Sequence, residues 1–228
     1  MTFTGPQRVL ARRRDNRQNV GMGPLFTVGH STRSLDELVR LCEGGGVRAV
    51  ADVRRFPGSR RSPHFARQAL EESLPAHGID YLWLPALGGH RRRASGAPPS
   101  PWQVAAFAAY ADHMRGAEFH AGIEALLASL ADRATAIKMG TLKGFPSPPA
   151  MLRGEQSSPA PLAIMCAEAS PYRCHRRLIS DWAELHGIEV VHLIDEGRTE
   201  RHHVTAFARR DGDDVVYEAS PQLDLPIG

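Results

Sequence analysis

Two short segments of this chain concentrate residues able to do chemistry. Gly29-His30-Ser31-Thr32 places a histidine and two hydroxyls after a glycine, and segment 166–176 carries Cys166, Glu168, Cys174, His175 and Arg176. His30 could serve as general base, phosphate donor or metal ligand, because imidazole titrates near neutrality. It could equally bond locally and cap the next helix. Asp52 could orient His30, act as a base, or pair structurally with Arg54, which shares its face of a strand. A thiol beside a helix start and several arginines would be acidified, which makes Cys166 a candidate nucleophile. The plain alternative is a small buried residue, as free cysteines commonly are.

The order strand, Cys166, loop, Arg173, helix is similar to that of rhodaneses and cysteine phosphatases. Six residues separate Cys166 from Arg173, where those phosphatases have five, and the glycines that wrap amides around an oxyanion are missing. Cys174 and His175 are adjacent at a helix start and should point apart, and no Cys-x2-Cys pair occurs. No metal and no other cofactor is expected.

Arginines surround these segments. Lys138 and Lys143 are the only lysines, and Arg54-Arg55, Arg60-Arg61, Arg91-Arg92-Arg93, Arg173 and Arg176-Arg177 all follow expected strand ends. A GC-rich genome would supply the arginine bias without any function. The clustering suits an anionic ligand, since the guanidinium fork binds phosphate bidentately. The expected partner is a nucleic acid, foremost DNA, or a phosphate-bearing small molecule. Ser31, Thr32, Arg54, Arg60, Arg61, His90, Arg91, Cys174, His175 and Arg176 would bind it, around catalytic His30, Asp52, Glu168 and Cys166.

The elements that must position these groups are legible. Leu25-Phe26-Thr27-Val28 is a buried strand ending at Gly29. Ser34 and Glu37 form a capping box, Leu35, Leu38, Val39, Leu41 and Cys42 mark one helical face, and three glycines stop it. Segment 47–53 is a second strand, so this unit is a parallel pair with a right-handed crossover. A loop over 54–65, a helix over 66–77, a strand over 80–84 and a loop over 85–101 follow. Helices are expected over 102–114 and 118–130, then a strand over 162–165, a helix over 174–186 and a strand over 189–193. The stretch 140–161 is rich in Pro, Ser and Gly and reads as an insertion. Trp83, Trp102 and Trp182 are read as core or lid aromatics, and His202-His203 as a surface pair.

Strands alternating with helices give a three-layer Rossmann-like α/β fold: a mostly parallel sheet with helices on both faces. Ligands in such sheets sit outside the carboxyl ends of the strands, where His30, Asp52 and Cys166 all fall. With 228 residues, 42% apolar and 23% charged, the chain has the size and composition of one globular domain. We place that domain over 24–228, after a disordered basic arm over 1–23. The net charge is +3 and the pI about 9.0. No apolar run is long enough to span a membrane, no secretory core precedes the domain, and three cysteines suggest reduced thiols. A cytoplasmic location is the expectation.

Several of these motifs together resemble the domain of unknown function 488 family of bacterial proteins. They are Thr27-Val28-Gly29-His30-Ser31, Val50-Ala51-Asp52-Val53-Arg54 with Pro57 and Ser59, Leu84-Pro85-Ala86-Leu87-Gly88-Gly89, Met165-Cys166-Ala167-Glu168 and Cys174-His175-Arg176. The resemblance covers about 25–194 and departs over 138–161, where the family passes more directly into the cysteine strand. It implies a compact α/β domain in which His30, Asp52, Arg54, Cys166, Glu168, Cys174, His175 and Arg176 act as a set. Three functions fit: a nucleic-acid hydrolase of the DNA base-excision kind, a phosphatase or sulfurtransferase using Cys166, and a non-catalytic binding module.

Overall fold

The computed structural model describes residues 23–58, 61–138 and 161–218. Arg60, most of the expected basic arm and nearly all of the 140–161 insertion lie outside them.

Strands and helices alternate as β1 (Leu25–Gly29), α1 (Leu35–Gly44), β2 (Ala49–Asp52), α2 (Arg67–Ala76), β3 (Asp80–Trp83), α3 (Ala105–Met114), α4 (Ala117–Lys138), β4 (Leu162–Cys166), α5 (Arg176–Leu185) and β5 (Val190–Asp195). β6 (Arg198–Arg201) folds back beside β5, and β7 (Ala208–Asp211) pairs with β8 (Asp214–Tyr217) in a separate hairpin. The main sheet has the order β3-β2-β4-β1-β5-β6, parallel except for β6.

Each local choice follows from the residues. β2 and β4 are buried along their whole length, which is why they read as continuous apolar runs. Val28, Val50 and Met165 pack with Leu38, Leu41, Leu70 and Leu74 of α1 and α2. Ala51 and Ile164 face the other way, toward Tyr110, Phe119, Leu178 and Trp182 of α3, α4 and α5. The capping box forms as expected: Glu37 N–H donates to Ser34 Oγ at 3.2 Å and Ser34 N–H to Glu37 Oε2 at 2.6 Å.

The chain runs outward through β1, β2 and β3 with α1 and α2 on one face. It returns through β4 and β5 with α3, α4 and α5 on the other, as right-handed crossovers require. β4 therefore enters between β1 and β2. Its outgoing loop turns to the opposite face from theirs, and a crevice opens where such connections diverge. The site segments meet there.

β6 and the β7–β8 hairpin were not expected. Their sequences are four residues each: RTER and ARRD are mostly charged, and DVVY is too short to show apolar alternation. The hairpin covers Trp102, whose ring lies 5.0 Å from Phe207 and 5.1 Å from Tyr217.

His202 is not the surface residue expected; it is buried, while His203 is exposed. His202 Nε2 meets Asp181 Oδ1 at 2.9 Å, and its Nδ1 meets His192 Nε2 at 3.0 Å. His192 Nδ1 continues to Thr27 Oγ1 at 2.8 Å, which faces Arg176 Nη1 at 3.3 Å. Asp181 also accepts from Thr205 N–H at 2.8 Å and Tyr217 O–H at 3.0 Å. This buried row ties the hairpin and α5 to the central strand.

Burial, then the neighbouring His202, Arg176 and His203, holds His192 down at about 3, against 6.5 for an unhindered histidine. Asp181 and the Tyr172 ring also face this row. Unfolding therefore takes up a proton between those pH values, and stability must fall as pH drops through 6.5 toward 3. The measurement is the urea midpoint across that window. His192→Asn should flatten its slope, and an equal slope in both proteins would show that His192 already protonates in the fold.

Candidate functional site at the carboxyl edge of the sheet

The strand ladder does not stop at the strand ends. His30 N–H donates to Cys166 O at 3.0 Å and Ser31 N–H to Ala167 O at 2.8 Å, so the two reactive segments are zipped together. Gly29 makes that approach possible: a Cβ there would lie 1.9 Å from Glu168 O. Ser31 then takes a positive φ of 47°, which starts the turn into α1. Arg176, 1% exposed, holds the neighbouring turn by donating to the carbonyls of Glu168 and Ala169.

On the α1–α2 side, Asp52, Arg54 and His30 form one buried cluster. Arg54 grips Asp52 with Nε at 2.8 Å and Nη2 at 2.5 Å, and its own N–H donates to Asp52 Oδ1 at 3.0 Å. Tyr81 O–H adds a fourth bond to this carboxylate at 2.7 Å. Burial alone would lower the Arg54 pKa, but the Asp52 hydrogen bond and charge outweigh it and raise it. Arg54 Nη1 reaches His30 Nε2 at 3.1 Å. A guanidinium only donates, so Nε2 must accept, and the proton sits on Nδ1, which donates to Ser31 O at 3.1 Å. Both ring nitrogens are engaged, and the ring stacks on Phe65 at 4.3 Å. Burial, reinforced by Arg54, lowers the His30 pKa to about 4 and keeps the ring neutral. Asp52 and His30 are thus held as positioning groups.

On the α3–α5 side sits a second cluster. His175 Nδ1 lies 3.6 Å from Cys174 Sγ and 3.9 Å from Cys166 Sγ. The expectation that Cys174 and His175 diverge does not hold. Cys174 is extended at φ −130°, ψ 153°, and His175 is already helical, so both side chains turn toward the end of β4. Cys174 is the more acidic thiol because Cys166 donates a hydrogen bond to it, with His175 and Arg176 adding to the effect. Donating that bond, together with burial, pushes the Cys166 thiol up. At 8% and 3% exposure both sulfurs are shielded.

The loop after β3 is built around this cluster. A Cβ on Gly88 would press within 2.6 Å of Arg55, and one on Gly89 within 2.9 Å of His175 Nδ1. The two glycines let the loop lie against both.

The arginine rim divides in two. Arg54 and Arg176 are interior. Arg91 is bound to Glu118 at 2.6 Å and to the carbonyls of Pro85, Ala86 and Gly88, and Arg93 is bound to Asp112 at 2.7 Å. Arg61, Arg92, Arg173, His90, Thr32 and Glu168 face solvent, and Ser31 is half-buried. Phe56, in the loop after β2, is 70% exposed, with the Arg55 guanidinium 5.5 Å from its ring centre. Sequence reasoning passed over Phe56; the available signal was an aromatic between an arginine pair and a proline in a strand-end loop. A groove of about 480 Å³ between α1 and the β5–β6 turn, lined by Leu41, Gly45, Leu193 and Thr199, lies apart from these groups.

Among known families, a model described as Domain of unknown function DUF488 matches residues 34–141, just under half the chain. The matched span holds Asp52, Arg54 and the Gly88-Gly89 loop, while His30 and the cysteine segment lie outside it. No curated protein and no solved structure matches the chain.

Asp52→Ala would leave Arg54 buried without its counter-charge, at a cost of about 3–5 kcal/mol. The fall in urea midpoint measures it. Pairing Asp52→Leu with Arg54→Met should recover part of that loss, because no uncompensated charge then remains.

Proposed function

We propose, for a chain whose residues 34–141 belong to the DUF488 family, hydrolysis of a glycosidic bond in nucleic acid, of the kind that excises a base from DNA. The observation that carries this reading is Phe56, a large aromatic exposed at the carboxyl edge beside Arg55. An exposed ring next to a cation is a stacking platform for an unpaired base, and every base offers a π-face to it. Solvent-facing Arg61, Arg92 and Arg173 would hold flanking phosphates, which fixes register without reading sequence.

The chemical step falls to Glu168. It follows β4, next to the strand that leads to Phe56, and its carboxylate is exposed. A carboxylate there can position water and stabilise the positive charge that develops on a sugar as its glycosidic bond breaks. Arg176 fixes the backbone that carries it. In this reading His30 and Asp52 shape the turn and Glu168 is the catalytic residue.

Phe56→Ala should weaken binding of a single-stranded oligonucleotide by about 1–3 kcal/mol, measured by fluorescence anisotropy. Binding of the unaltered protein should weaken steeply as salt is raised. Glu168→Gln should abolish base release from a panel of damaged-base oligonucleotides while leaving affinity intact. Salt-insensitive binding that ignores Phe56→Ala would sink the proposal.

A further inference from the structure

The strongest unassigned feature is the Cys166, Cys174 and His175 cluster. Two buried thiols face a single imidazole nitrogen, and their three ligand atoms lie within 4.8 Å of one another. Apolar packing alone gives no reason to aim two sulfurs at one nitrogen.

The protonation of the ring follows from its contacts. His175 Nε2 meets the Val53 carbonyl at 3.0 Å. A carbonyl only accepts, so Nε2 carries a hydrogen and Nδ1 is the nitrogen that faces both sulfurs. This is the outer bond that metal-binding histidines make: the far N–H goes to a backbone carbonyl, which fixes the tautomer and the ring plane.

The distances agree with a tetrahedral ion. With zinc–sulfur bonds of about 2.3 Å and zinc–nitrogen bonds of about 2.0–2.1 Å, a tetrahedron has sulfur–nitrogen edges of about 3.6 Å. The two edges here are 3.6 Å and 3.9 Å. Closing the longer one takes a movement of a few tenths of an ångström. Gly89 adds a second, independent observation. Any side chain at that position would enter within 2.9 Å of His175 Nδ1, so the glycine keeps clear the space beside that nitrogen.

We infer that Cys166, Cys174 and His175 bind one zinc-class divalent cation, with a fourth position left for water or a substrate atom. The choice of metal follows from the donors. Two thiolates and an imidazole are soft to borderline ligands, which favour zinc over magnesium or calcium. Binding forms two metal–sulfur bonds and one metal–nitrogen bond, and both cysteine protons leave to solvent. Two thiolates then balance a divalent charge, which suits a site as buried as this one. Three protein ligands with an open position are the arrangement of catalytic zinc rather than the closed four-ligand structural kind. The site stands whether or not the edge acts on nucleic acid.

The test uses the full chain, stripped with chelator under reducing conditions and titrated with Co(II). One equivalent should bring up thiolate-to-cobalt charge-transfer bands and the intense visible bands of tetrahedral cobalt, and Zn(II) should bleach both. Zinc should also raise the melting temperature, and chelator should reverse the rise. Cys166→Ser, Cys174→Ser and His175→Ala should each remove the charge-transfer bands or halve them, while Cys42→Ser, which alters a buried thiol on α1, should leave them intact. Zinc-edge X-ray absorption on the unaltered protein, reporting two sulfur and one nitrogen donor, needs no variant to fold. Absence of cobalt bands at equimolar metal would overturn the site, as would bands of undiminished intensity in Cys174→Ser. So would a Cys166–Cys174 disulfide that forms in air while the reduced protein binds no metal, which would make the pair redox-active. None of these readouts involves an oligonucleotide, so the site can fail while the hydrolase reading stands, and the reverse.

Discussion

The buried guanidinium of Arg176 is the contact on which this edge depends. It is among the largest fully buried side chains of the described residues, and its partners are two backbone carbonyls and the Thr27 hydroxyl, while its Nε has no partner among those residues. A cation so far from water needs several oxygens around it, and that need draws the turn after β4 onto the start of α5. Release of those carbonyls would unhook the turn that carries Cys166 and Glu168. Position here is set by one charge seeking acceptors.

That anchoring divides the edge into a locked half and an open half. On the α1–α2 face, Asp52 receives four hydrogen bonds and His30 uses both nitrogens, so neither has capacity left for a substrate. On the other face a single imidazole nitrogen of His175 faces two buried sulfurs. Between them, loops carry Phe56 and Glu168 outward. Rigid polar groups behind and exposed groups in front are how a scaffold holds a site on loops without letting it drift.

Much of the fold was legible in the sequence because it follows from short-range rules. Ser34 and Glu37 announced a helix start, Gly44-Gly45-Gly46 its end, and the runs at Leu25 and Leu162 strands buried on both sides. The site was legible only in its membership. That Arg91 belongs to Glu118 and Arg93 to Asp112 depends on where α3 and α4 pack, which no local pattern states. The meeting of Cys174 and His175 depends on one extended residue between two helical turns, a detail below the resolution of periodicity. His202 was misjudged for a similar reason: its partners, His192 and Asp181, reach it from β5 and α5. The β7–β8 hairpin escaped notice because its four-residue strands earn their place by covering Trp102 and Trp182, not by an apolar pattern of their own.

The row from Arg176 to Asp181 has one more implication. A guanidinium can only give hydrogens and a carboxylate can only take them, so with both histidines neutral every link runs one way, from Thr27 through His192 to His202. Such a sequence of one-way bonds cannot be edited at a single point without leaving two neighbours facing each other with the same sign. Chains descended from a common ancestor should therefore keep these five residues intact or exchange them together, and the hairpin they hold should come and go with them.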